Sequence, residues 1–168
     1  MVKKLIYWYK FSKLNPKPQF LFPYNKAKNI GLLINADDDK KPKETNAIIE
    51  EMKKEKKHLT ILVYASTGTN INYYFDHILV QKKDFNWYGK IANKKVQHFL
   101  EKSYDLLYVF SEKFCFEIDA IVLMCKSKCK LGIIQDKPKD FLDLMVKSSK
   151  QSQDSLFSQL YYYSKKIK

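Results

Sequence analysis

Four short, almost wholly apolar runs govern what this chain can fold into: residues 30–35 (IGLLIN), 59–65 (LTILVYA), 104–110 (YDLLYVF) and 130–134 (KLGII). Strands apolar on both faces need cover on both faces, and a parallel sheet held between helices supplies it. The stretches between the runs are helical in pattern. Residues 42–57 start with a proline and set Ala47, Ile48, Met52 and Lys56 along one face. Residues 93–102 read as a short helix. Ser111 is expected to cap a helix in which Ile118, Ile121, Val122 and Cys125 recur at i, i+3, i+4, i+7. Residues 73–80 and 141–146 read as further extended segments and 82–91 as irregular. Residues 152–167 read as a closing amphipathic helix through Leu156, Leu160, Tyr163 and Ile167. With 168 residues the chain suits one hydrophobic core. The expectation is a single α/β domain over residues 30–168: a three-layer, Rossmann-like or flavodoxin-like sandwich with a mostly parallel sheet.

Residues 1–29 form a different kind of segment, a basic amphipathic N-terminal arm and linker. A helix over 2–13 would gather Leu5, Trp8, Tyr9 and Ser12 on one side, and Asn15-Pro16-Lys17-Pro18 would end it. Residues 19–29 then read as an extended linker. The net charge is +13, and its 31 basic residues are all lysine. Arg alone offers the planar fork that reads guanine edges bidentately, so specific DNA reading by that route is excluded. An AT-rich genome would raise Lys everywhere, yet the charge is polarised. Residues 1–36 hold seven Lys and no acid, and residues 147–168 hold five Lys against Asp154. The middle carries only +2. Such polarity favours a polyanionic partner.

Within the arm, Lys3, Lys4, Lys10 and Lys13 interleave with Tyr7, Trp8 and Tyr9. Lysines neutralise phosphates while an aromatic ring such as Trp8 stacks on exposed bases, which suits RNA. The same residue types suit an anionic membrane surface, but the arm's apolar face is short for stable anchoring. The apolar stretch at residues 5–9 is too short for a signal peptide, and no run reaches the length of a membrane span. An odd number of cysteines, Cys115, Cys125 and Cys129, points to no disulfide framework and a cytoplasmic setting.

Several segments carry a resemblance: GLLINADD (31–38), ILVY (61–64), KKDFNWYGKI (82–91), YDLLYVFSE (104–112), KLGI (130–133) and FLDLMV (141–146). Together they resemble a family of small uncharacterised proteins from Bacteroidota, the DFNW-x-GK element being the most specific part. The resemblance implies a cytosolic α/β domain with a basic extension, and it brings no activity, cofactor or catalytic residue.

Chemistry in this fold class belongs at the C-terminal ends of the strands. The loop after the first run, NADDDK, is acidic and lacks glycine, so a dinucleotide fingerprint is absent. The loop after the second run has Ser66, Thr67 and Gly68, which could cradle a phosphate with Asp37 nearby, although the P-loop spacing is missing. Asp37, Asp38 and Asp39 read as a solvated turn capping the next helix ahead of a Mg²⁺ site. Cys125 and Cys129 fall at i, i+4 on an expected helix and read as small core residues. His58, His77 and His98 keep no ligand spacing, and no metal site or cofactor is assigned. Trp87 and Lys90, with Asp84, Asn86 and Gly89, could form a recognition loop. The alternative is that Phe85 and Trp87 pack under the sheet edge. No catalytic constellation stands out. The first expectation is a non-enzymatic RNA- or ribosome-associated protein of unstated oligomeric state. The second is a small enzyme or ligand-binding domain for a phosphorylated metabolite at the strand-end crevice, and a weaker third is a peripheral membrane protein.

Overall fold

The fold is described from a computed structural model, which describes residues 21–68, 71, 73–86, 90–135, 138–147 and 155–168. The strands are β1 (Asn29–Asn35), β2 (His58–Ala65), β3 (Ile78–Gln81), β4 (Ser103–Phe110), β5 (Lys126–Ile134) and β6 (Leu144–Lys147). The helices are α1 (Pro42–Lys54), α2 (Lys94–Glu101), α3 (Phe116–Met124) and α4 (Leu156–Ser164). The six strands form one sheet in the order β3-β2-β1-β4-β5-β6, and every pairing is parallel. That is the order of the doubly wound Rossmann fold, in which the direction of winding reverses between β1 and β4.

Each apolar run supplies both faces. Ile30, Leu32 and Ile34 of β1 pack with Ile48, Ile49 and Met52 of α1 and with Phe157, Leu160 and Tyr161 of α4. Leu33 packs on the opposite side with Val96 and Phe99 of α2 and with Ile118, Ile121 and Val122 of α3. The result is the three-layer sandwich expected from the pattern.

Gly31 is where β1 can least accept a side chain. A Cβ there would stand 2.9 Å from Leu107 Cδ1 and 3.1 Å from two Tyr104 ring carbons. Tyr104 is buried and pinned by its hydroxyl, which donates to the Phe99 carbonyl at 2.8 Å. Gly31→Ala should therefore lower unfolding stability by about 1–3 kcal/mol, read from the urea midpoint at unchanged slope.

Several elements differ from the sequence reading. The helix expected over 42–57 stops at Lys54. Lys56 takes a left-handed conformation (φ 59°), and the Lys57 and Lys56 N–H groups return to Met52 O and Lys53 O, a Schellman closure built without glycine. Ser111 caps no helix: Cys115 holds that position in front of α3, and Ser111 is buried in the crevice described below. Cys125 and Cys129 do not share a helix, because Cys125 ends α3 and Cys129 lies within β5, although both are buried. In the segment expected as a linker, Tyr24–Lys26 form a 3-10 turn and Tyr24 and Ala27 join the core. On α4, Tyr163 faces solvent, and the buried face runs through Phe157, Leu160, Tyr161 and Ser164. The helix expected over 2–13 lies outside the described residues.

Candidate functional site

The crevice between the C-terminal ends of β1 and β4 is where this fold class places ligands, and here the chain fills it with its own side chains. β1 ends at Asn35, whose side-chain oxygen accepts the Asp37 N–H at 3.1 Å in an Asx turn. The turn sends its three aspartates in three directions. Asp37 accepts the Ser66 N–H at 3.0 Å and ties the β1 loop to the β2 loop. Asp38, only 8% exposed, reaches across to the β4 loop. Its Oδ2 accepts from Asn35 Nδ2 at 2.9 Å, Ser111 Oγ at 3.1 Å and the Lys113 N–H at 2.7 Å. Asp39 accepts from Thr45 Oγ1 at 2.8 Å and from the Tyr73 hydroxyl at 2.7 Å.

This corrects the reading of Asp37–Asp39 as a solvated turn capping the next helix: each carboxylate bridges to a different element, and Lys41 holds the cap position in front of α1 with no side-chain cap. It also bears on the phosphate cradle. Ser66, Thr67 and Gly68 are exposed, and the Ser66 N–H already faces the Asp37 carboxylate. Lys90 is exposed, with its N–H on Asn86 Oδ1 at 2.7 Å, and Phe85 bridges to Ile91. Trp87 lies outside the described residues, as do Lys3, Lys4, Trp8, Lys10 and Lys13. Behind the crevice sit Tyr64, Cys115 and Glu117. Burial raises the Cys115 thiol above its ordinary value, the reverse of what an activated nucleophile requires. No cluster of metal ligands occurs among the described residues, and no helix among them is long and apolar enough to cross a membrane.

The opposite end of the sheet has another character. Every long strand begins on polar residues: Asn29 stands opposite His58, and Ser103 stands opposite Lys126. Lysines line up along these starts, with Lys26 and Lys28 before β1, Lys56 and Lys57 before β2, Lys102 before β4, and Lys126 and Lys128 opening β5. Lys26, Lys28, Lys56 and Lys126 are exposed and make no ion pair among the described residues. Others are used in construction. Lys57 Nζ donates to the carbonyls of Tyr24 and Ala27 at 3.0 and 2.8 Å, and Lys102 Nζ donates to Thr60 Oγ1 at 2.8 Å.

Asp105 is the acid set into this rim, and it is committed to structure. It accepts the N–H groups of Lys28 and Asn29 at 2.9 and 3.0 Å and pairs with Lys128 Nζ at 2.7 Å. Burial works to raise its carboxyl, but Lys128 and the Asn29 and Lys28 N–H groups outweigh it and hold the group down at about 2. A hollow of about 480 Å³ opens here between Asn29, Ser103, Asp105 and Lys126–Lys128.

The arm joins the domain at this same rim. Lys128 Nζ lies 4.6 Å over the Phe22 ring, and Lys57 Nζ lies 4.6 Å over Tyr24. The sequence reading missed the rim because it summed charge by segment, and most of these lysines fall in the nearly neutral middle. The available signal was positional: a lysine stands just before each apolar run that becomes β1, β2 and β4, and two alternate at the start of β5.

Comparison with known proteins adds a family. A model described as "Family of unknown function (DUF6913)" matches residues 3–167, the arm included. No curated protein and no solved structure matches the chain.

Proposed function

We propose that this chain, which belongs to the family of unknown function DUF6913, is a non-enzymatic RNA- or ribosome-associated protein. The observation that carries the reading is the row of exposed lysines along the N-terminal ends of the strands, at the point where the basic arm is attached. Lys26, Lys28, Lys56 and Lys126 present point charges spaced along an edge, the form in which Lys meets a phosphate backbone. The arm would extend that track with Lys3, Lys4, Lys10 and Lys13, and Trp8 would stack on a base. The rim supports RNA over a membrane surface because the strand starts between its lysines are the polar Asn29, His58, Ser103 and Ser127. A phosphorylated metabolite at Asp37, Ser66, Thr67 and Gly68 is the weaker reading, because carboxylates hold the positions where its phosphate would sit.

The test is fluorescence anisotropy of a labelled RNA hairpin with single-stranded flanks, titrated across a range of KCl. Replacing Lys26, Lys28, Lys56 and Lys126 with Gln should lower the log K against log[salt] slope by about 3 and weaken binding about 100-fold at 0.15 M salt. An unchanged slope and affinity overturns the rim as the contact. Binding to anionic vesicles with none to RNA overturns the reading in favour of a peripheral membrane protein.

A further inference from the structure

The last turn of α4 carries two tyrosines that the fold does not use. The helix buries Phe157, Leu160, Tyr161 and Ser164, while Tyr162 and Tyr163 stand 57% and 49% exposed on its outer side. Their rings meet edge to face with centroids 5.8 Å apart, and Lys166 Nζ lies 4.2 Å over the Tyr162 ring. Two adjacent exposed rings with a lysine beside them offer flat faces and a positive charge at one place on the surface.

Lys165, three residues beyond Tyr162, clamps Glu51 and Glu55 at the end of α1 at 2.7 and 2.8 Å. Tyr161 packs edge to face on Tyr24 at 5.6 Å, and Tyr24 leads directly into Lys26 and Lys28. The end of α4 is thus fastened to the lysine rim. The acids nearest it, Glu51 and Glu55, are both engaged by Lys165, and the next residue, Lys166, stands over the Tyr162 ring.

We infer that Tyr162 and Tyr163 form a stacking platform for the bases of single-stranded RNA, whose phosphates run along Lys166 and the rim lysines. The inference rests on the RNA reading above and narrows it: a duplex keeps its bases stacked inside and offers nothing to the platform, whereas a single strand offers every base. In the bound form Lys166 leaves the Tyr162 ring for a phosphate, and a base takes its place on that face.

The experiment uses the full chain and a labelled oligouridylate of about 12 nucleotides, with an abasic strand of equal length and an RNA duplex as comparisons. Tyr162→Ala combined with Tyr163→Ala should weaken binding of the intact strand about 30-fold or more while leaving the salt slope unchanged, since no charge is removed. Tyr162→Phe with Tyr163→Phe should retain binding. The unsubstituted protein should hold the abasic strand and the duplex as weakly as the double Ala variant holds the intact strand. Both side chains are exposed, and far-UV circular dichroism confirms that the variants fold. Equal binding of intact and abasic strands, or no loss in the double Ala variant, overturns the platform and leaves the lysine rim standing. No binding of any RNA at low salt overturns both.

Discussion

Raised through pH 10, the protein unfolds in one cooperative step, and loss of helix coincides with the appearance of phenolate. The expectation follows from what the core contains. Tyr24, Tyr64, Tyr73, Tyr104, Tyr108 and Tyr161 are all held above their ordinary value of 10, burial being the first cause in each. Hydrogen bonding to acids adds to this at Tyr24, which donates to Glu55, and at Tyr73, which donates to Asp39. Burial likewise raises the thiols, Cys125 to about 12 and Cys129 to about 11, with Cys115 raised as well. An acid raised in the folded state keeps its proton there while the unfolded chain releases it. Stability from these groups is complete below the unfolded values and falls as pH rises past them. The three thiols begin to act above 9 and the six phenols above 10, each at no more than about 1.4 kcal/mol per pH unit.

Between pH 9 and 11 these losses add up on the scale of the roughly 5–15 kcal/mol that holds a domain of this size together. Lys130 acts in the opposite sense. Burial lowers its ammonium below the ordinary value, so its contribution grows more favourable with rising pH. It is one group against nine. Circular dichroism and phenolate absorbance, followed together under reducing conditions, check the result. Phenolate titrating gradually from pH 10 with the helix signal intact would show that these hydroxyls ionise inside the folded protein.

How far the sequence could be read depended on which residues carried each feature. The sheet was legible because IGLLIN and its three counterparts are apolar on both faces, a requirement only a covered parallel sheet meets. Their starting points were not legible. Strand ends at the rim carry no core-facing burden, so β5 opens with Lys126-Ser127-Lys128 and an apolar search begins at residue 130. The same blindness hid the basic edge, since its lysines are far apart in sequence and become neighbours only when β1, β2, β4 and β5 lie side by side. The end of α1 was hidden for a local reason: Lys56 occupies the left-handed position that glycine usually marks. On α4, Tyr161, Tyr162 and Tyr163 are identical in type, so a residue count cannot say which one faces the core. Contact with Tyr24 selects Tyr161 and leaves the other two outside. The acidic loop was read correctly as unfit for a pyrophosphate, yet its positive role was invisible, because the partners of Asp38 lie on the β4 loop at Ser111 and Lys113.

Asp38→Ala should be a costly single change, lowering stability by about 2–3 kcal/mol. One buried oxygen, Asp38 Oδ2, accepts from Asn35 Nδ2, Ser111 Oγ and the Lys113 N–H. Of these donors the Ser111 hydroxyl can turn to the Lys113 carbonyl 2.8 Å away. The half-buried Lys113 N–H would lose its acceptor, while the Asn35 amide would keep Ser111 Oγ at 3.0 Å and the Lys113 carbonyl at 3.5 Å. Each stranded donor costs on the order of 1–3 kcal/mol, and hydrogen bonds to a charged acceptor lie toward the upper end. Asp38→Asn can set its carbonyl oxygen where Oδ2 stands and accept from the same three donors, losing only the charge, and should recover more than half of the loss. Urea unfolding of the two variants measures both values. The outcome also decides between the two ends of the sheet. A loss under about 1 kcal/mol for Asp38→Ala would mean that water already solvates these donors. The crevice would then be open to a ligand, and the case for a phosphorylated metabolite between β1 and β4 would regain its footing. A loss of the expected size means that the usual ligand position of this fold has been converted into a structural bolt, which leaves the lysine rim as the proposed contact.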